Sequence, residues 1–345
     1  MGVGTLALNH QQTVAAAVDQ WVTGIASRIP GHTVFVENHA HAGYAKTLAG
    51  DGSVVLVVDG DADDPGIVSV KGTFDEPGEE VLVDGTLSLE IQDYLAVPFI
   101  NLVGATIVRL AGQDDWEAFF ADAEEARRSG HFVRQLTEVN AVLAERGFLA
   151  GYGSVDRSLT RMHITADGAV LNGPYGTVIG RVGDALHDLR LKAVPLAPES
   201  VIASVCDASV VRAGLNLRPW IPRYLAALDA WKFVLREQRA ETRLVGFGLS
   251  LYGAGECHSL PLPGAPFILE RHGEFRLLDT GTGRIFRVGA DVAILVEAFS
   301  NLRDIEAAAG VTAPILGVSP AEAEVSARTV VAQFDQLGID LLGAL

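Results

Sequence analysis

Cysteine is nearly absent from this 345-residue chain, which has only Cys206 and Cys257. Two thiols cannot build a disulfide framework or a four-thiolate zinc site, so the composition points to a reducing, cytoplasmic setting. Lysine is scarce too, with four against 22 arginines, and 43 acidic residues bring the formal net charge to −17. Such a chain is repelled by phosphate backbones and anionic membrane surfaces, whereas a basic partner is attracted to it. Long apolar runs are missing: the longest, residues 96–110, is interrupted by Asn101 and Arg109. The opening Met1-Gly2-Val3-Gly4 has no basic region followed by an apolar stretch, so neither a membrane span nor an export signal is expected. No Gly-Lys-Ser/Thr element occurs, and Gly173-Pro174-Tyr175-Gly176 and Gly246-Phe247-Gly248 lack the spacing of a phosphate or dinucleotide loop.

What is present is core-forming sequence, 49% hydrophobic and 20% charged, enough for two or three domains. Residues 10–28 carry a helical pattern, and 33–37, 53–58, 67–70 and 80–89 read as β-type runs between Gly and Asp turns. Asp114 stands where a cap would begin a helix bearing Trp116, Phe119, Phe120 and Ala123 and ended by Gly130; a second helix over 134–145 would pair with it. Beyond Gly151 the elements shorten. The chain then passes the 195–198 break and enters a helix over 222–239 with Tyr224, Leu228, Trp231 and Leu235 on one side. Residues 147–153 are the best internal hinge by composition.

Three constellations invite a chemical reading, and each falls short. His39 and His41 share a face of an extended segment, but the positions where a cupin-like site wants a carboxylate hold Ala45 and Lys46. Asp59, Asp61, Asp63 and Asp64 start like a calcium loop, yet Asp64 stands where Gly is required and Val70 where Glu is required, leaving a solvated acidic turn. Cys257-His258, with Glu256 and Ser259 beside them, are sequence neighbours, and neighbours rarely reach attack geometry; Cys257 reads as a small apolar residue. His163, His187 and His272 are scattered. No catalytic set, metal site or cofactor is therefore expected.

The last eighty residues are the best punctuated. Pro261, Pro263, Gly264 and Pro266 break the chain over 259–266. Short β-type runs follow at 267–270, Glu274–Asp279 and Arg284–Val288, the last two joined by Asp279-Thr280-Gly281-Thr282-Gly283, whose glycines permit a hairpin turn. A helix over 291–300 carries Val292, Leu295, Val296 and Phe299; Asn301 would cap a second, with Leu302, Ile305 and Ala308, stopped by Gly310. Ser319, Pro320 and Glu322 form a capping box for the third, which Gly338 ends. The expected fold is thus a mixed α/β (α+β) region over 1–258, a linker over 259–266, and a small winged helix-turn-helix domain of three strands and three helices over 267–345.

The stretches FRLLDTGTGRIFRVGADVAILVEAF and EVSARTVVAQFDQLGID resemble the peptide chaperone of pyrroloquinoline quinone biosynthesis and related RiPP recognition elements, which bind leader segments of ribosomally made peptides. Upstream, VPFINLVGATIVRL, DDWEAFFADAEEARRSGHF and RPWIPRYLAALDA are similar to recognition proteins of daptide biosynthesis in actinobacteria. The resemblance implies that a leader peptide adds as a strand beside Arg284–Val288 and lies against the helix over 322–337. Its candidate contacts are Arg284, Ile285, Phe286, Arg287 and Val288 on the edge, with Val325, Arg328, Thr329 and Ala332 on the helix; Val330, Phe334 and Leu337 look like core. The two arginines Arg287 and Arg328 suit a guest carboxylate. The implied role is a non-catalytic adaptor in RiPP biosynthesis, whose partners are the precursor peptide and the modifying enzymes of its pathway. The alternatives are a peptide-modifying enzyme with a fused recognition element and a winged-helix transcription regulator. Charge speaks against the last: residues 266–345 hold six arginines and no lysine against eleven acids, a balance of −5.

Overall fold

The computed structural model describes residues 9–26, 28–61, 63–151, 159–252 and 260–343. The readings placed on Met1-Gly2-Val3-Gly4, on Glu256-Cys257-His258-Ser259 and on the far end of the 147–153 hinge lie outside the described residues. The chain divides into two compact units, Met1–Phe119 with Asn140–Leu217, and Phe120–Val139 with Arg218–Leu345. That division replaces the boundary expected at 259–266. The second unit begins far upstream of it, because residues 242–245 supply a strand to the carboxyl-terminal sheet.

The first unit is built on one sheet. In chain order its strands are β1 (Thr33–Val36), β2 (Val54–Val58), β3 (Val68–Lys71), β4 (Glu80–Val83), β5 (Leu87–Asp93), β6 (Ala105–Arg109), β7 (Ala141–Leu143), β8 (Arg161–Ile164), β9 (Ala169–Leu171) and β10 (Val178–Arg181). They lie in the order β10-β9-β8-β1-β2-β3-β4-β5-β6-β7. The runs β8-β1-β2-β3 and β5-β6-β7 are parallel, and the remaining pairings are antiparallel. Period-two alternation divides the central side chains between two cores. Phe35 and Leu56 pack with Val14, Val18 and Trp21 of α1 (His10–Thr23). Val34, Val36, Val55 and Val57 pack with Ala42, Ala45 and Leu48 of α2 (Ala42–Leu48). A sheet covered on both faces explains why β1 is fully buried and apolar but for Thr33, whose hydroxyl donates to Ala17 O.

Helix α3 (Gln113–Ser129) runs from the first unit into the second, and α4 (Arg146–Ala150), α5 (Leu186–Ala193) and α6 (Ala208–Leu217) complete the first. Three local expectations change. The single β-type run over 80–89 is a hairpin, turned at Asp84 and Gly85, which adopt φ of 54° and 64°. The helix over 134–145 does not form: after one 3₁₀ turn at Arg134–Thr137, Ala141 and Leu143 alternate with Val142 and pair with β6. The carboxylate that meets the backbone at the start of α3 is that of Asp115, not Asp114. It accepts from the amides of Ala111 (2.9 Å), Gly112 (3.1 Å) and Leu95 (3.0 Å).

The second unit carries α7 (Ile221–Lys232) and an antiparallel sheet of β11 (Thr242–Val245), β12 (Phe267–Arg271), β13 (Glu274–Asp279) and β14 (Arg284–Val288), hydrogen-bonded in that order. It has four strands where three were expected. Then come α8 (Ala290–Leu302), α9 (Ile305–Leu316) and α10 (Pro320–Gln336). Asp304, not Asn301, caps α9, accepting from Ala307 N at 2.7 Å. That helix continues through Gly310 and stops at Gly317, whose φ of 69° needs no side chain. The capping box of Ser319 and Glu322 on α10 is present as the sequence indicated. One core joins Val245, Ile268 and Leu277 of the sheet to Leu295, Val296 and Phe299 of α8 and to Ala327, Val330 and Phe334 of α10. A second gathers the rings of Phe132, Tyr224, Trp231 and Phe247, with Phe132 5.9 Å from each of the other three.

Candidate functional site

Strand β14 is an edge. It pairs with β13 from Phe275↔Val288 to Asp279↔Arg284, and among the described residues no strand pairs with its other side. Half of its backbone amides and carbonyls therefore point outward, ready for another chain. The turn that places it is locked by Asp279: Gly283 N donates to its carbonyl (2.8 Å), Gly281 N to its carboxylate (3.1 Å), and the Thr282 hydroxyl to the same carboxylate. Gly283 sits at φ 70°, where a side chain would be strained.

The pleat sorts the expected contacts onto two faces. Phe286 and Val288 turn toward the helices, packed on the core of α8 and α10, and the Phe286 ring meets Phe334 edge-on at 6.1 Å. Arg284 lies on the same side, its guanidinium over the Phe286 ring at 4.9 Å and donating to Leu337 O at 2.6 Å. Ile285 and Arg287 take the opposite face. Ile285 is 45% exposed and lines a cavity of about 290 Å³ with Phe233, Leu269, Arg271 and Arg276. Arg287 donates to Glu274 Oε1 at 3.0 Å. Ile285 and Arg287 therefore lie on the face away from α10, where sequence reasoning had placed them with that helix, whereas Arg284, Phe286 and Val288 face the helices, because neighbouring residues of a strand point to opposite faces.

On α10, Val325, Arg328, Thr329 and Ala332 are all exposed, while Val330 and Phe334 are buried. Leu337 was expected in the core but is 44% exposed; the chain turns back at Gly338, and Ile339 and Leu341 are buried instead. Arg328 is held by Glu324 at 2.6 Å, one helical turn earlier, and that carboxylate raises its pKa. Val311 and Ile315 of α9, and Val318 just beyond it, are exposed apolar residues as Val325 is. Sequence reasoning missed these three, although their spacing along α9 was there to be read.

Elsewhere, the first unit buries several charged side chains in close pairs. Arg161 donates to Trp21 O at 2.6 Å and pairs with Glu145, both nearly inaccessible. Burial pushes the Glu145 carboxyl up, and the neighbouring guanidinium opposes the shift. Burial also raises the Tyr175 phenol to about 12, and Arg109 pulls the other way. His163, expected to be scattered and structural, lies stacked on Phe35 and bonded to Glu37 at 2.7 Å, which lowers the Glu37 pKa. His41 bonds Ala166 O at 3.2 Å, and Asp64 pairs with Lys46. Among the described residues no three His, Cys, Asp or Glu side chains gather where they could hold a metal ion, and no helix is long and apolar enough to cross a membrane. No family model matches the chain, and no curated protein or solved structure matches it either.

Proposed function

We propose that the second unit captures an extended peptide, the leader of a ribosomally made precursor, along the free side of β14, and that the chain serves as a non-catalytic adaptor presenting that precursor to a modifying enzyme. The observation that carries this reading is the unpaired edge itself, held in place by the Asp279 turn and in contact with α10 through Phe286 against Phe334. Main-chain pairing would supply affinity, and the alternation of the guest would send one set of side chains toward Arg284, Phe286 and α10 and the other toward Ile285 and Arg287. The strands-then-three-helices order of residues 267–343 supports a winged-helix description of this part. Tethering a substrate to its enzyme in this way raises effective concentration without any chemistry in the tether.

Fluorescence anisotropy of a labelled leader peptide tests the proposal. Arg328→Glu and Arg287→Glu should each weaken binding severalfold while leaving the melting temperature near that of the parent, because both side chains are exposed and their ion pairs are of the weak surface kind. Unchanged affinity in both variants rejects the edge-and-helix assignment.

A second reading, a peptide-modifying enzyme with recognition built in, draws on the buried Glu145–Arg161 pair and Tyr175, since perturbed titratable groups gather at active sites. Mass spectrometry of the precursor after incubation with the purified chain distinguishes the two: a mass change favours the enzyme.

A further inference from the structure

In a chain carrying −17, one corner of the second unit concentrates positive charge. A cavity of about 210 Å³ is lined by Arg127 of α3, Trp220, Arg223 of α7, Pro261, Leu262 and Arg303. None of the three arginines has a carboxylate within ion-pair distance among the described residues. Most of the others in this unit do, among them Arg218 with Glu124, Arg239 with Glu138, Arg271 with Glu241 and Arg328 with Glu324, whereas Arg284 donates to Leu337 O instead.

Arg223 is 1% exposed and spends its donors on main-chain oxygens: Gly246 (3.1 Å), Leu262 (3.2 Å), Pro263 (3.2 Å), Ala265 and Pro266 (3.1 Å). Its guanidinium stacks 3.5 Å from the centre of the Phe267 ring. Those carbonyls engage all three of its nitrogens and fix the 262–266 wall, but they leave a full positive charge without a counter-ion. Arg303 is held at φ 58°, a left-handed conformation that L residues other than Asn and Asp seldom adopt, and its Nη2 donates to Leu260 O at 3.3 Å. Arg127 lies over the Trp220 ring at 5.0 Å.

We infer that this cavity is an anion-binding site for an oxyanion, carboxylate or phosphate, borne on an apolar or aromatic body. Arg127 and Arg303 are the two guanidinium groups able to engage the oxyanion directly. Arg223, each of its nitrogens already bonded to carbonyls, contributes its positive field to the lining. Trp220 and Leu262 would meet the body of the ligand. The site does not depend on the β14 edge and would stand if peptide capture there failed.

Isothermal titration calorimetry on the full chain tests it with two probes, phenyl phosphate and benzoate, at ionic strength fixed with chloride. A saturable heat with either probe is expected, and the tighter one names the oxyanion. Arg127→Gln and Arg303→Gln should each weaken that binding about tenfold, the scale for losing one charge-assisted contact, with the melting temperature preserved. Failure of both probes to saturate at tens of millimolar, or equal binding by the Arg127→Gln, Arg303→Gln double variant, overturns the inference.

Discussion

Arg223 shows how one side chain can organise a region. Its guanidinium meets five carbonyl oxygens, four of them on residues 262–266, so the breaker-rich segment read in the sequence as a linker is a wall built around a cation. Burial drives its pKa down to about 9, which leaves it charged at neutral pH. Arg223→Met would strand those oxygens without donors and should cost roughly 3 kcal/mol or more, read from urea unfolding. Glu297 is the acidic counterpart. Buried on α8 and accepting from Leu251 N at 2.7 Å, it is pushed up to about 7 from an ordinary 4.5, chiefly by desolvation. The folded state thus holds this proton more tightly than the unfolded state does. Its favourable contribution is complete below about pH 4.5 and is lost as pH rises through 7. Glu297→Gln should therefore be more stable than the parent at pH 8, by about 1–3 kcal/mol, and nearly equal to it at pH 5; equal differences at both pH values would rule out this titration. Neither residue drew notice in the sequence, because a buried charge differs from an exposed one only in what distant segments bring to it.

At the scale of the element, what could be read was what is local. The Ser319 cap, Pro320, Glu322 and the glycines of the β13–β14 turn act within a few residues of themselves, and α10 and the hairpin stand close to where the sequence placed them. Ser319→Ala should lower stability by about 1 kcal/mol, seen as a shifted urea midpoint with an unchanged slope. Asp279→Ala removes the contacts to Gly281 N and the Thr282 hydroxyl; it should cost about 1–2 kcal/mol and also loosen peptide binding, since the turn positions the edge. What escaped was what pairs at a distance. Strand β11 meets β12 across more than twenty residues, and β7 meets β6 across more than thirty; each is too short to announce itself by periodicity. The end of α10 misled for a related reason: Gly338 at φ 71° redirects the chain, so Ile339 enters the core and Leu337 leaves it. Of the proposed site, the strand and the helix were legible, but the face each strand residue takes was not, because that is set by β13 and by what lies behind it.

For the whole molecule, composition foretold a mixed α/β architecture with ample core, and the two units share it. The place of division was not foretold, since Phe120–Val139 joins the second unit across the whole of Asn140–Leu217. The open side of β14 has a further consequence. An edge open to a foreign strand would be equally open to a second copy of this chain, and the shared net charge of −17 would oppose that pairing through a repulsion that dissolved salt weakens. Sedimentation velocity should therefore find single molecules in dilute buffer and paired ones as sodium chloride approaches 1 M, with saturating leader peptide abolishing the pairs. An unpaired margin of a sheet can close on a copy of itself unless charge holds the copies apart.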